Sequence, residues 1–237
     1  MSLKNNSWLK IKQFLLPQNC QMCAIALTQY DHLNICKPCS AELPWNEQGY
    51  CPQCALPSFE GLVCGECLRS PPDFDATTAL FTYSFPIDRM IQKLKYQSSL
   101  QLSDLFGQLL AKHCAPLSKE IRIIPMPLHP QRLKERGFNQ SLEIAKVLAK
   151  HSDLKLDFLI CERIKFSPPQ ASLPLKARIK NMKNAFACHA NLTGQHVLLL
   201  DDVMTTGASL NELAKTCKKA GASQISCAVI ARTLPHR

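Results

Sequence analysis

The chain opens with Trp8, Leu9, Ile11, Phe14, Leu15 and Leu16 recurring at roughly helical spacing and stopping at Pro17, which predicts a short helix over residues 1–16. The stretch that follows, residues 17–70, is polar and too short to hold itself together by apolar burial alone. From residue 76 onward, short apolar or β-branched runs alternate with helical periodicity, the pattern of an α/β domain with a mostly parallel sheet. Strands are expected near Ala79–Ser84, Ile121–Pro125, Phe158–Glu162, Val197–Leu200 and Ile225–Ala231, and helices over Ile87–Tyr96, Leu100–His113, Gln140–His151 and Ser209–Ala220. The last helix is the clearest: Leu210, Leu213, Ala214 and Cys217 form one face and Gly221 follows as a C′ residue. Pro71-Pro72 reads as a module boundary, so three segments are expected: a helix at 1–16, a head at 17–72 and an α/β domain at 73–237.

Composition changes this picture in two places. Apolar residues make up 46% of the 237 and charged residues 19%, which excludes wholesale disorder. The longest purely apolar run, Met22–Leu27, is far too short to cross a bilayer, and the N-terminus lacks a secretory apolar core, so a cytoplasmic protein with no membrane span is expected. The helix at 1–16 suits a membrane interface or a packed position; its shortness and three lysines favour packing. The net charge of +10 is uneven, because residues 1–72 carry five basic and five acidic side chains and residues 73–237 supply the whole excess. Of 13 cysteines, eight fall between Cys20 and Cys67.

Those eight form four Cys-x-x-Cys pairs: Cys20/Cys23, Cys36/Cys39, Cys51/Cys54 and Cys64/Cys67. Each pair can offer two thiolates to one ion, and two pairs complete a tetrahedral zinc site. In a reducing compartment this reading outweighs a disulfide framework. One or two structural Zn2+ ions are therefore expected to hold the head together. Sequential pairing is preferred, with a cross-braced arrangement left open.

The most informative stretch is Val197-Leu198-Leu199-Leu200-Asp201-Asp202-Val203-Met204-Thr205-Thr206-Gly207-Ala208-Ser209. An apolar strand delivers two carboxylates at its end, and a turn rich in hydroxyls then opens a helix. Free N–H groups at a helix start hold phosphate, and carboxylates accept hydrogen bonds from vicinal hydroxyls. A second stretch, Pro125-Met126-Pro127 followed by Arg132, Lys134 and Arg136 ahead of a helix near Asn139, couples rigid backbone to cations and suits pyrophosphate. A third, Arg163–Phe186, contains Arg163, Gln170, Leu173, Arg178 and Asn181. From Arg163 to Leu200 there are six basic residues and no acidic one, and Ser167-Pro168-Pro169-Gln170 suggests a loop. Lys93, Lys95 and Tyr96 close a helix, where lysine also favours the helix dipole. His129, His151 and His189 share no motif with a nucleophile.

The Asp201–Ser209 segment resembles the PRPP-binding motif of type I phosphoribosyltransferases. Four cysteine knuckles joined to this domain, with Pro125-Met126-Pro127-Leu128-His129-Pro130-Gln131-Arg132-Leu133-Lys134-Glu135-Arg136-Gly137-Phe138-Asn139-Gln140, resemble the ComF family of competence proteins over essentially the whole chain. The resemblance implies a type I phosphoribosyltransferase-like parallel sheet flanked by helices, with an N-terminal double zinc ribbon. It implies that Asp201 and Asp202 hold the ribose hydroxyls, that Thr205, Thr206, Gly207, Ala208 and Ser209 hold the 5′-phosphate, and that Pro125, Met126, Pro127, Arg132 and Arg136 form the pyrophosphate loop, with Mg2+ accompanying PRPP. Arg163, Gln170, Arg178 and Asn181 then belong to a flexible hood that closes over PRPP or touches DNA. Lys93, Lys95 and Lys134, with Phe138, Phe166 and Phe186 nearby, are candidate contacts for single-stranded DNA. The expected function is PRPP binding combined with the handling of incoming single-stranded DNA in natural transformation, with DNA-uptake or DNA-processing proteins as partners. The alternatives are an active phosphoribosyltransferase, whose acceptor no residue set names, and a catalytically silent PRPP sensor.

Overall fold

The computed structural model describes residues 19–27, 33–47, 49–97, 99–114, 118–166 and 182–235. The expected N-terminal helix lies outside them, as do Gln170, Leu173, Arg178 and Asn181. The four cysteine knuckles fold as two copies of one pattern. In the first, the chain turns at Cys20–Cys23, with the Ala24 amide donating to Cys20 O at 2.9 Å and the Cys20 amide to Ile25 O at 2.8 Å. In the second, Ala55 donates to Cys51 O and Cys51 to Leu56 O, both at 2.8 Å. The alanine after each first knuckle is left-handed, at φ 60° for Ala24 and 55° for Ala55. That conformation costs an L-residue about 1–2 kcal/mol and is tolerated because the knuckle imposes it. Each second knuckle then opens a short helix, α1 (Lys37–Ala41) after Cys36 and α2 (Gly65–Arg69) after Cys64. The chain divides into two units, one ending at Leu43 and one beginning at Pro44, so the two copies belong to different units and Pro71-Pro72 lies inside the larger one.

The larger unit is built on strands β1 (Ala76–Thr82), β2 (Arg122–Pro125), β3 (Lys155–Leu156), β4 (Cys161–Arg163), β5 (Phe186–Cys188), β6 (His196–Met204) and β7 (Gln224–Arg232). Its helices are α3 (Ile87–Gln97), α4 (Gln101–His113), α5 (Pro130–Arg136), α6 (Gln140–Ser152) and α7 (Ala208–Lys219). Five strands pair in parallel in the order β1-β7-β6-β2-β3, while β4 and β5 form a separate antiparallel pair. The apolar runs of β6 and β7 are continuous because these central strands are covered on both faces. Val197 and Leu199 share a buried cluster with Ile225, Cys227 and Val229 and with Leu210, Leu213, Ala214 and Cys217 of α7. Strand alternation turns the buried Leu198, Leu200, Ala228 and Ile230 to the other face. Helices α4 and α6 meet at Gly107, where a Cβ would stand 2.5 Å from Val147 Cβ.

Edge strand β1 does not face water along its length. The Asn46 amide donates to Leu80 O at 2.8 Å, Thr82 to Pro44 O at 2.9 Å and Thr77 to Pro52 O at 2.9 Å. Trp45 lies against Phe81 at 4.6 Å between ring centroids and stacks on His113 at 5.0 Å. The second cysteine copy and its lead-in therefore occupy the position of a further strand.

Two expectations change. The strand expected over Phe158–Glu162 is split: Lys155-Leu156 joins β2, the chain leaves the sheet at Asp157, which pairs with Arg122 at 3.2 Å, and Cys161–Arg163 pairs with β5 instead. Phe158 and Leu159 are exposed between them. The cations of the expected pyrophosphate loop, Arg132, Lys134 and Arg136, lie on helix α5, ahead of the helix expected near Asn139. Pro130 starts it, and Gly137, left-handed at φ 81°, ends it.

Candidate functional site

In open parallel α/β sheets, ligands gather beyond the carboxyl ends of the strands. Here that rim holds the end of β2 and the end of β6, joined by the Met126 amide donating to Leu200 O at 2.8 Å. Asp201 and Asp202 sit in the last four residues of β6. The Asp201 carboxylate accepts from Ser141 Oγ at 3.0 Å and from the Asp202 amide at 2.9 Å. Asp202 is buried and pairs with Lys95 Nζ at 3.0 Å. Burial and the neighbouring Asp202 charge push the Asp201 carboxyl up to about 7, against the pull of Lys95 and the two donors. For Lys95, burial pulls the amine down, but Asp202, with Asp201 behind it, outweighs that and holds it above its ordinary value. Two carboxylates, one cation and one hydroxyl thus form a single cluster at the rim.

Immediately downstream, Gly207 takes φ 78° and starts α7. A Cβ there would lie 2.7 Å from Met204 Cε, so both the backbone conformation and the space select glycine. Thr206 Oγ1 accepts from the Ala208 amide at 3.2 Å. Thr205 and Thr206 are exposed, Gly207 is buried, and Ala208 and Ser209 are half-buried, so the loop ahead of this helix is open to solvent at its two threonines.

On the β2 side, the segment Pro125–Pro127 is fixed at its middle: Asn139 Nδ2 donates to Met126 O at 3.0 Å, while Asn139 Oδ1 caps α6 by accepting from the Ser141 amide at 3.0 Å. Arg136 Nη1 donates to Gln140 Oε1 at 2.9 Å, and its guanidinium lies 5.5 Å from the Tyr96 ring centroid. Arg132 pairs with Glu135 at 2.7 Å and lies 5.6 Å from the Phe166 ring, which His129 meets edge-on at 5.2 Å. Arg163 lies 5.8 Å from the Phe186 ring; burial lowers its guanidinium, Asp201 raises it and Arg132 lowers it, so these three charges share one field. Lys93 and Lys134 are exposed. The rim therefore brings together Asp201, Asp202, Lys95, Arg132, Arg136 and Arg163. Asn139 closes the Pro125–Gln140 motif read in the sequence, whereas Ser141 has no motif there and only the packing of α6 against the strand ends places it here.

The cysteine sulfurs group sequentially, Cys20, Cys23, Cys36 and Cys39 in one set and Cys51, Cys54, Cys64 and Cys67 in the other, each set within 4.8 Å of one another. A zinc tetrahedron with bonds of ~2.3 Å has edges of about 3.8 Å. The observed separations of 3.8 Å for Cys23–Cys36 and 3.7 Å for Cys54–Cys64 match that shape. Backbone amides also donate to the sulfurs, Cys36 to Cys20 Sγ at 3.4 Å and Cys64 to Cys51 Sγ at 3.3 Å. Burial raises both first sulfurs, yet backbone amides, led by that of Cys23 for Cys20 and that of Cys64 for Cys51, bring the Cys20 thiol down to about 6 and that of Cys51 to about 7. Cys39 and Cys67 are pushed up by burial and by their sulfur neighbours. Such sets favour thiolates only with a cation at the centre, and they fit structural zinc.

Residues 11–68 match the double zinc ribbon domain family, and residues 139–235 match the phosphoribosyl transferase domain family. Competence protein F of Haemophilus influenzae is 30% identical over 208 residues, 84% of this chain and 90% of its own. The chain belongs to the ComF family. The DNA utilization protein YhgH of Escherichia coli K12 is 30% identical over 226 residues, 92% of this chain and 99% of its own. Competence protein ComFC of Bacillus subtilis is 25% identical over 208 residues, 84% of each chain. In this ComF-family chain the parallel sheet with flanking helices is the phosphoribosyl transferase domain, and the paired cysteine sets are the zinc ribbon. No helix among the described residues is long and apolar enough to cross a membrane.

Proposed function

We propose that the protein binds PRPP with Mg2+ at the β6–α7 loop and uses that site in handling single-stranded DNA in the cytoplasm during natural transformation. One observation carries the reading: two adjacent carboxylates near the end of a central parallel strand are followed, across a short loop with exposed Thr205 and Thr206, by a helix that starts at a left-handed glycine. Asp201 and Asp202 would accept from the ribose hydroxyls, residues 205–209 would donate to the 5′-phosphate, and Pro125–Pro127 with Arg132 and Arg136 would face the pyrophosphate. The oxygen-only donors of Asp201 and Asp202 fit a hard divalent cation, which supplies charge neutralisation beside the pyrophosphate when bound. The names of the relatives, competence protein F and DNA utilization protein, support the nucleic-acid half. So do the arginine–aromatic pairs Arg132–Phe166 and Arg136–Tyr96, since stacked bases and phosphates suit rings beside guanidinium groups. Arg163, Gln170, Arg178 and Asn181 remain candidates for a hood over the same site.

Calorimetry with PRPP and Mg2+ on the wild type and on Asp201→Ala/Asp202→Ala tests the site. Heat of binding in the wild type that disappears in the double variant is expected; equal binding by both overturns the assignment. Release of pyrophosphate in the presence of acceptor bases or DNA would move the reading from a binding protein to an active phosphoribosyltransferase.

A further inference from the structure

The last residue of the central strand β7, Arg232, is only 4% exposed. Its Nε donates to Cys54 O at 2.8 Å. Its Nη1 donates to Met204 O at 2.9 Å, to Thr233 O at 2.8 Å and to Thr205 O. Every acceptor is a main-chain carbonyl. Two of them, on Met204 and Thr205, lie where the chain leaves β6 for the loop that starts α7; a third belongs to a ligand-bearing knuckle of the second cysteine set. Neighbouring packing fixes the same joint, because Pro52 O accepts from Thr77 of β1 at 2.9 Å and Ala55 shares the buried cluster of Met204.

A buried cation held only by neutral carbonyls is costly unless negative charge lies near it. Such charge would sit in the second cysteine set when an ion is bound, because Cys54 carries both one of the four sulfurs and the carbonyl that Arg232 holds. Four thiolates around a divalent ion leave such a centre net negative, so a loaded cysteine set is a fitting counter-charge for the guanidinium and fixes the knuckle that bears its acceptor. We propose that Arg232 is a positioning residue that ties the phosphate loop to the second cysteine set, so that the anion affinity of the loop follows the metal state of that set. This rests on reading residues 205–209 as the anion loop. The first cysteine set belongs to the other unit.

Amide hydrogen exchange on the ligand-free full chain tests the tie, and calorimetry with Mg2+ and PRPP tests its use. In Arg232→Gln, residues 204–209 should exchange at least tenfold faster, while Val197–Leu200 and the zinc content stay as in the wild type; PRPP affinity should fall about tenfold or more. Arg232→Lys should recover part of both, because it restores the charge but cannot span knuckle and loop together. Cys67→Ser should speed exchange at the same loop amides, and Cys39→Ser should not. Unchanged loop exchange in Arg232→Gln overturns the proposal, as does an equal response of the loop to Cys39→Ser and Cys67→Ser. If Arg232→Gln does not fold, the Arg232→Lys and cysteine variants decide. Faster loop exchange in a protein whose wild type binds no PRPP would uphold the tie and reject the ligand instead.

Discussion

The two cysteine sets share a knuckle, a left-handed alanine, an amide-to-sulfur bond and a short helix, yet they stand in different physical situations. The first belongs to the small unit ending at Leu43, whereas the second is hydrogen-bonded to the edge of a five-stranded sheet and to a buried arginine at its rim. One motif thus serves two ends. In the small unit metal binding must supply most of the folding free energy, since structural zinc contributes ~10–16 kcal/mol in small ribbons. In the large unit the sheet already buries a sizeable core, and the metal mainly fixes the position of a few carbonyls.

Removing one thiolate from each set is the strongest way to break that contrast. Cys39→Ser should abolish protected amides between Asn19 and Leu43 and leave the melting midpoint of the larger unit in place. Cys67→Ser should leave the sheet folded but cost it roughly 3 kcal/mol, or about 6–12 °C in midpoint for a unit of this size. Equal losses in the two variants, read by exchange and calorimetry, would erase the distinction.

A smaller effect is expected from Gly207→Ala, which disturbs the loop without touching either set. The positive φ and the 2.7 Å approach to Met204 Cε should cost about 1–2 kcal/mol of stability. Zinc content should not change, but PRPP binding should weaken severalfold beyond that stability cost. A variant that binds as well as the wild type would detach the loop from the proposed site.

The smallest change is one of pH. Asp201 titrates near 7 in the folded chain, above its ordinary value of 3.8, so its contribution to stability is complete below about pH 4 and is lost as pH rises to about 7. Binding should show the opposite trend, because ribose hydroxyls and Mg2+ favour the carboxylate. PRPP affinity should climb between pH 6 and 7.5, with proton release visible as buffer-dependent heat. Asp201→Asn should flatten both, and a wild-type affinity independent of pH in that window would count against the carboxylate's role.

What could be read along the chain was local. The apolar run into Asp201-Asp202 announced a central strand, and the Cys-x-x-Cys spacing announced two four-sulfur sites while leaving sequential and cross-braced pairing both open. Pro130 and Gly137 bracket α5 as helix-boundary residues, but the cations between them suggested a loop, and so the helix was missed. The apolar run at Phe158–Cys161 suggested one strand because periodicity does not reveal that Lys155-Leu156 takes the sheet position first. Arg232 had no signature at all. Its partners are carbonyls, which every residue carries, and they come from segments far apart in sequence. The same holds for Ser141 beside Asp201, while Lys95 was singled out as a helix-closing cation but with no hint of its partner Asp202.

The segment from Pro44 to Pro52 along β1 has a consequence for how this chain can be divided. An unpaired outer strand exposes a row of amides and carbonyls on which a second chain can grow a sheet. A polypeptide starting at Asp73 would retain every strand and every residue of the phosphate loop, yet it would bare that row and strip Arg232 of an acceptor. The ribbon's second half is in effect the selvedge of the sheet, and there is no clean cut between it and the phosphoribosyl transferase domain.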